Sequence, residues 1–120
     1  GAEIMIAGLV VSGPGPRTYL IRALGDTLGD FGINDFLDDT VMKIFRGSDV
    51  IRYSDDWDDP FYHQDMLSSA MERLGAIALT DRQESAIKIT LSPGVYSVQV
   101  SGFDDQTGIS LVEIYEFPEP

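Results

Sequence analysis

The residues with the clearest chemical potential form an acidic run, Asp55-Asp56-Trp57-Asp58-Asp59. Calcium takes about six to eight oxygen ligands in proteins, and carboxylates clustered on a loop supply such oxygens. The candidate calcium ligands are therefore Asp55, Asp56, Asp58 and Asp59. The run does not fit an EF-hand, whose loop of about twelve residues ends on glutamate, because counting from Asp55 or Asp56 ends on Met66 or Leu67. The alternative is that Asp58 and Asp59 cap a following helix and the other two aspartates are simply solvated.

Aromatic side chains surround the acidic run. These are Tyr53, Trp57, Phe61 and Tyr62. An aromatic ring stacks on the C–H face of a pyranose while neighbouring carboxylates accept hydrogen bonds from its hydroxyls. Tyr53 and Trp57 are thus candidate carbohydrate-binding residues. The alternative is that these rings pack in the core, where a helix meets a sheet.

Residue types that serve catalysis are sparse. His63 is the only histidine, and the chain has no cysteine, which excludes disulfides, thiolate zinc sites and cysteine nucleophiles. No G-x-S-x-G sequence is present, so a Ser-His-Asp triad would lack its usual supporting turn. We predict that the chain is not an enzyme and that it carries no cofactor except, as a candidate, calcium.

The length of the chain predicts the number of domains, and its net charge limits the kinds of partner that we expect. The 120 residues predict a single domain over residues 1–120. The formal net charge of -12 repels phosphate backbones and anionic headgroups, so we expect no nucleic-acid partner. The sequence also lacks an apolar run of the roughly 18 residues that a membrane span needs. We therefore expect no membrane insertion.

Short apolar runs separated by Gly, Pro, Asp and Ser predict a mostly β structure. The predicted strands are Glu3 to Val11, Arg17 to Leu24, Thr40 to Phe45, Val50 to Tyr53, Ser85 to Leu91, Val95 to Ser101 and Ile109 to Phe117. Glu3 to Val11 is apolar on both faces, which indicates a strand covered on both sides. We expect it to form a hairpin with the second strand, and we expect the last three strands to be consecutive antiparallel neighbours.

Two connections have recognisable signals. Gly25 to Asp39 predicts a long ordered connection, with a helical turn, whose apolar residues cap one end of the core. Asp59-Pro60, the helically spaced Leu67, Ala70, Met71 and Leu74, and the final Gly75 predict a helix from Pro60 to Leu74. The predicted fold class is all-β: an antiparallel, jelly-roll-like β-sandwich of about seven or eight strands with one helix in a connection.

Two blocks of the chain resemble a known family. The segment from Leu91 to Tyr115 has the form L-x-P-G-x-Y-x-x-x-V-x-G followed by T-G-x-x-L-V-E-x-Y. It is similar to the end of secreted bacterial β-sandwich modules related to pre-peptidase C-terminal domains. The front half of those modules resembles the segments Gly8 to Val11, Leu20 to Gly25, Phe31 to Ile33 and Ser54 to Trp57. The insert from Phe61 to Leu79 is longer and richer in methionine than the family pattern.

The resemblance implies a function that does not involve catalysis. It implies a non-catalytic accessory module of a larger exported bacterial protein, with a structural or adhesive role and with calcium bound in some members. The implied location is secreted or at the cell surface, either extracellular or periplasmic. The expected partners are neighbouring domains of the parent protein. A carbohydrate-binding module that recognises polysaccharide through Tyr53 and Trp57 is the alternative.

Overall fold

The structure, a computed structural model, describes residues 4–54, 71–76 and 84–118. It contains seven strands: β1 (Met5–Val11), β2 (Arg17–Leu24), β3 (Thr40–Arg46), β4 (Asp49–Ser54), β5 (Ser85–Leu91), β6 (Gly94–Gly102) and β7 (Leu111–Glu116). They form a four-stranded sheet in the order β1-β6-β3-β4 and a three-stranded sheet in the order β5-β2-β7. All the ladders in both sheets are antiparallel. The predicted all-β sandwich is confirmed.

Alternating side chains build the core between the sheets. On β6, Tyr96, Val98 and Val100 share one face and are all buried. They belong to a cluster that also contains Ile21 of β2 and Ile44 of β3. Burying one such aliphatic side chain stabilises the fold by about 1.5 to 3 kcal/mol. The period-two pattern therefore fixes which face of each strand points inward.

β3 and β4 form an antiparallel hairpin. Arg46 pairs with Asp49, which leaves a two-residue turn whose first residue, Gly47, has a φ of 60°. A positive φ at this position is a property of the two turn types that best match the twist of hairpin strands. A register shift between Ile44 and Phe45 then leaves one extra residue on β4, as in a β-bulge.

The prediction for β1 is wrong in two respects. β1 pairs with β6 rather than with β2, because residues 12–16, at about 3.3 to 3.6 Å each, are long enough to cross the roughly 10 Å between packed sheets. β1 is also not covered on both sides, since Ile6 and Val10 are 63% and 69% exposed. An apolar sequence run shows which side chains the strand carries, but it does not show whether other elements pack against both of its faces.

The last three strands are not consecutive neighbours, contrary to expectation. β5 and β7 flank β2 in one sheet, whereas β6 lies between β1 and β3 in the other. The turn through Pro93 and the connection at residues 103–110 each carry the chain across the sandwich. Alternation specifies a buried face and does not specify the sheet to which a strand belongs.

The connection between β2 and β3 is hydrogen-bonded to the connection between β6 and β7 at one end of the sandwich. The first contains a 3-10 helix, Asp26–Phe31, and meets the second where the Leu37 amide donates to the Ile109 carbonyl at 2.7 Å. Leu28 and Leu37 are buried, whereas Phe31 is 59% exposed, so the predicted capping of the core is only partly correct. Gly25 is required here, because a Cβ at this position would lie 1.8 Å from the Leu37 carbonyl oxygen.

The C-terminal end of the predicted helix is confirmed. Residues 71–74 are helical, and Gly75 follows with a φ of 69°. The Gly75 amide donates to Glu72 O and the Ala76 amide donates to Met71 O, which is the pair of bonds of a Schellman motif. The predicted start, from Pro60 to Ala70, lies outside the described residues. No helix in the described part of the chain is both long and apolar enough to cross a membrane.

Candidate functional site

Among the residues that the sequence singles out for binding, the structure describes Tyr53. It lies on β4, opposite Lys43 of β3, with 46% of its surface exposed. Its ring therefore stands on the outer face of the four-stranded sheet, beside an ammonium group. The candidate metal ligands Asp55, Asp56, Asp58 and Asp59 and the second aromatic candidate, Trp57, lie outside the described residues. Within residues 4–54, 71–76 and 84–118, no three His, Cys, Asp or Glu side chains converge as a metal site.

The last residue of β4 and the first residue of β5 meet in one buried polar cluster, which we call the hydroxyl latch: Thr40, Ser54 and Ser85. The Ser85 hydroxyl donates to Thr40 O at 2.8 Å and lies 3.1 Å from Ser54 O. The Ser85 amide donates to the Thr40 hydroxyl oxygen at 3.0 Å. The latch joins β3 and β4 of one sheet to β5 of the other. It thereby fixes the two residues between which residues 55–84 run.

A buried carboxylate holds the adjacent connection. Glu84 is fully buried, and its Oε2 accepts hydrogen bonds from the amides of Gly25 at 2.7 Å and Thr27 at 3.0 Å. Its Oε1 accepts from the Thr27 hydroxyl. The 3-10 helix that begins at Asp26 has no side-chain cap from its own N-cap residue. Glu84 supplies the anionic acceptor that such a helix end favours.

Sequence reasoning missed this role of Glu84. An N-cap is normally sought in the residue that directly precedes the helix, whereas Glu84 is 59 positions beyond Gly25. The sequence indicates only that Gly25, which has no side chain, cannot itself cap the helix. That signal does not identify which distant group replaces the cap.

An ionic group is buried on the outer face of the three-stranded sheet. Arg22 of β2 is fully buried, and both its Nε, at 2.8 Å, and its Nη2 donate to Oε1 of Glu113 on β7. Tyr115 donates its hydroxyl to Oε2 of the same carboxylate at 2.8 Å, and its ring centroid lies 5.7 Å from Arg22 Cζ. Burial, and secondarily the hydrogen bond to Glu113, raise the pKa of Tyr115 above its usual 10.0. Both carboxylate oxygens are thus engaged within the protein.

A cleft of about 360 Å³ lies between β1, β2 and β7. An ion pair between Arg17 and Glu116, 2.9 Å long and partly exposed, lines it. Tyr19 lines it too, and burial followed by the nearby Glu116 carboxylate raises the pKa of this tyrosine. An ion pair this exposed contributes little stability, typically about 0 to 1 kcal/mol. The cleft therefore combines a polar rim with the aliphatic side chains of Val10 and Ile114.

The most unusual surface is the outer face of β1 and β6, which we call the uncharged half-sheet. Charged residues make up 23% of the chain, yet neither Met5–Val11 nor Gly94–Gly102 contains one. Val10 pairs with Val95 across the two strands, and both side chains are 69% exposed. Ile6, on the same face, is 63% exposed. Gly8 and Ser97 lie between Ile6 and the valine pair, and Ile6 pairs with Gln99, so the face is uncharged and partly aliphatic. Exposed apolar patches rimmed by polar residues are characteristic of interaction surfaces.

The sequence contained a signal for this surface. The run from Glu3 to Val11 is apolar at both odd and even positions, which we interpreted as burial on both sides. An exposed edge strand normally carries charge or proline. In the structure, β6 is the one partner of this strand among the described strands, and its outer side chains Ile6 and Val10 are exposed.

Comparisons with protein families, with curated proteins and with solved structures gave no match. The resemblance to pre-peptidase C-terminal modules accordingly stays a prediction. The architecture rests on the strand pairing described above.

Proposed function

We propose that this chain is a non-catalytic accessory module of a larger exported bacterial protein, with a structural or adhesive role exerted through the uncharged half-sheet. The observation that carries the proposal is the exposure of Ile6, Val10 and Val95 on one sheet face. The exported location, secreted or at the cell surface, and the bacterial source rest on the sequence resemblance. The expected partners are the neighbouring domains of the parent protein.

The buried polar groups on both sides of the three-stranded sheet support such a role. The hydroxyl latch joins the two sheets at one side, and the pair of Arg22 with Glu113 joins β2 to β7. Hydrogen bonds and charges that are buried and satisfied rigidify a structure. A rigid scaffold presents a surface for contact with little ordering cost on association.

The exposed aliphatic side chains supply the contact energy. Covering one of them in an interface contributes about 1 kcal/mol, taking about 25 cal/mol for each Å² of apolar surface removed from water. A lysine placed at the centre of that contact would instead lose its hydration, which costs several kcal/mol. One substitution at Val95 is therefore sufficient to test the surface.

The experiment compares Val95→Lys with a control of the same charge, Asn34→Lys, in the full-length parent protein. Val95 lies on the half-sheet, whereas Asn34 is exposed on the connection before β3. The measurements are surface attachment or domain association and, separately, any activity of the other domains. We expect Val95→Lys to reduce attachment at least tenfold, with that activity unchanged and with the control at the wild-type level. Equal attachment of both variants would refute the proposal.

The position of Tyr53 favours a second candidate, a carbohydrate-binding module. Its side chain is 46% exposed on the outer sheet face, on the strand next to Lys43, and an exposed aromatic ring can stack on a sugar ring. The test titrates a polysaccharide panel against the fluorescence of Trp57, the only tryptophan. Tyr53→Ala should weaken any binding, with Tyr53→Phe as the matched control. A spectrum unchanged by every polysaccharide would count against this candidate.

Calcium remains the proposed ion for Asp55, Asp56, Asp58 and Asp59. Binding to the folded state alone raises the melting temperature as calcium is added. Asp55→Asn combined with Asp58→Asn should abolish that rise. No rise at millimolar calcium would remove the ion from the proposal.

A further inference from the structure

The cleft between β1, β2 and β7 is lined by side chains that donate and accept hydrogen bonds. Arg17 and Glu116 form an ion pair in it, and Ser12 and Tyr19, which carry hydroxyls, line it beside them. The Arg17 and Glu116 side chains are 32% and 43% exposed, so a ligand that enters from solvent can reach both. These groups line one space of about 360 Å³. They therefore have the arrangement of a small polar binding site.

The surrounding structure positions these side chains. Tyr19 lies on β2, the central strand of its sheet, and is only 6% exposed. Glu116 of β7 pairs directly with Tyr19, and burial followed by this carboxylate raises the pKa of the tyrosine. An added Cβ at Gly13 would lie 3.2 Å from Arg17 Nη2, so the turn before β2 lies against the guanidinium. Groups that are ordered in advance lose less conformational freedom when a ligand binds.

The paired charges of the cleft favour a neutral ligand. The Glu116 carboxylate and the net charge of -12 oppose an anion, and the Arg17 guanidinium opposes a cation. A zwitterion would have to separate the two side chains to bind each of its own charges. A neutral ligand leaves the pair intact, because a guanidinium has five N–H donors and a carboxylate has about four acceptor positions. Each side chain can therefore bond to its partner and to a ligand together.

The walls and the size of the cleft narrow the class of neutral ligand. Val10 and Ile114 supply aliphatic surface beside the polar groups. A matching ligand carries several hydroxyls, each both a donor and an acceptor, around an apolar C–H body, which describes a sugar ring. Ligand pockets span about 300 to 1,000 Å³, and the cleft, at about 360 Å³, lies near the lower limit. It therefore suits one ring rather than a length of polysaccharide.

We propose that the cleft between β1, β2 and β7 binds one neutral sugar ring. Arg17 donates hydrogen bonds to the ring hydroxyls and Glu116 accepts hydrogen bonds from them, while Val10 and Ile114 contact the C–H groups. The site is separate from Tyr53, which lies on β4 at the other edge of the four-stranded sheet. The inference goes beyond the proposed function, because it assigns a ligand to the cleft and does not depend on a contact through Val95.

The first test titrates the purified chain with the methyl glycosides of glucose, galactose and mannose. Binding is followed by two-dimensional NMR of the backbone amides and of the arginine Nε–H groups. The affinity of so small a ligand is limited by its number of atoms, so we expect a dissociation constant on the order of 1 mM for the best glycoside. The largest shifts should lie at Ser12, Arg17, Tyr19 and Glu116. No shift with any of the three at about 50 mM would overturn the inference.

The second test varies the charge of the ligand. The best neutral glycoside is compared with the uronic acid and the amino sugar of the same ring, and with alanine as a zwitterion. The neutral glycoside should bind at least about fivefold more tightly than each of the other three, because the intact ion pair opposes both signs of charge. Tighter binding of the uronic acid would assign the cleft to anions, and tighter binding of alanine would assign it to amino acids. Either result would refute the neutral sugar.

Variants then locate the binding. Arg17→Met removes the donors, Glu116→Gln removes the charge of the acceptor, and each should weaken binding at least about tenfold. The matched control is Arg52→Met on β4, at the far edge of the four-stranded sheet, which should bind like the wild type. An ion pair this exposed contributes little stability, so the variants should fold, as far-ultraviolet circular dichroism checks. Unchanged binding in Arg17→Met would overturn the inference, as would a loss in Tyr53→Ala, which would place the sugar on β4.

Discussion

Replacing Glu113 by glutamine removes one carboxylate from contact with a fully buried guanidinium. The Arg22 side chain has no exposed surface, whereas the Glu113 side chain is 19% exposed. The two partners should therefore differ in what their loss costs. The buried Arg22 cation loses the attraction of Glu113 and gains no hydration in exchange, but a carboxylate at the rim can be hydrated once its partner is gone.

The expected magnitudes follow from that difference. Breaking a buried pair by removing one partner costs about 3 to 5 kcal/mol, and glutamine keeps an acceptor oxygen for Arg22, so Glu113→Gln should cost about 3 kcal/mol. Arg22→Met leaves an apolar side chain of similar length in place of the cation and should cost about 1 to 2 kcal/mol. Because domains of this size are stable by only about 5 to 15 kcal/mol, both effects are large enough to measure.

The assay is urea unfolding followed by far-ultraviolet circular dichroism. With a slope of about 1 to 3 kcal/mol per molar urea, Glu113→Gln should lower the midpoint by about 1 to 3 M. The double variant Arg22→Met with Glu113→Leu is the control and should recover most of the loss, because no unpaired charge remains. If Arg22→Met cost as much as Glu113→Gln, or if the double variant were the least stable, the reasoning from burial would be wrong.

Three further changes test other parts of the structure. Gly25→Ala should lower the free energy of unfolding by more than about 2 kcal/mol, since its Cβ would overlap a carbonyl oxygen, whereas Gly8→Ala should be neutral or stabilising by up to about 1 kcal/mol in urea unfolding. Glu84→Gln should cost about 1 to 3 kcal/mol and speed hydrogen exchange at the Gly25 amide, because an acceptor oxygen is replaced by a donor; unchanged exchange would contradict the cap. Tyr115→Phe tests the raised pKa of this tyrosine. The folded state holds that proton above pH 10.0, where the unfolded chain releases it, so the contribution to stability is present below pH 10.0 and is lost as the pH rises through the folded pKa. Melting between pH 8 and about pH 11.5 should therefore show a shallower alkaline fall in the phenylalanine variant than in the wild type.

Much of the fold could be predicted because its signals are local. The burial of Tyr96, Val98 and Val100 follows from their alternation on β6. The helix end at Gly75 follows from glycine's access to positive φ. Each of these features depends on residues within a few positions of one another, and the structure confirms each of them.

The candidate site was less accessible to sequence reasoning. Among its predicted members, Tyr53 could be located, on an exposed sheet face. The uncharged half-sheet was visible as an apolar run, but the run was interpreted as buried. The sequence gives the side-chain types of a strand, but it does not show whether another part of the chain packs against them.

The sequence by itself therefore determined that the chain is an acidic all-β protein, where most of its strands lie and which face of several strands is buried. Only the tertiary structure decided that β1 joins β6, that Glu84 caps the helix after Gly25, and that Glu113 neutralises Arg22. The physical reason is that side-chain alternation along a strand is set by its own backbone, whereas pairing partners are chosen by the packing of the whole chain. The position of β1 beside β6, at one edge of the described four-stranded sheet, results from that packing.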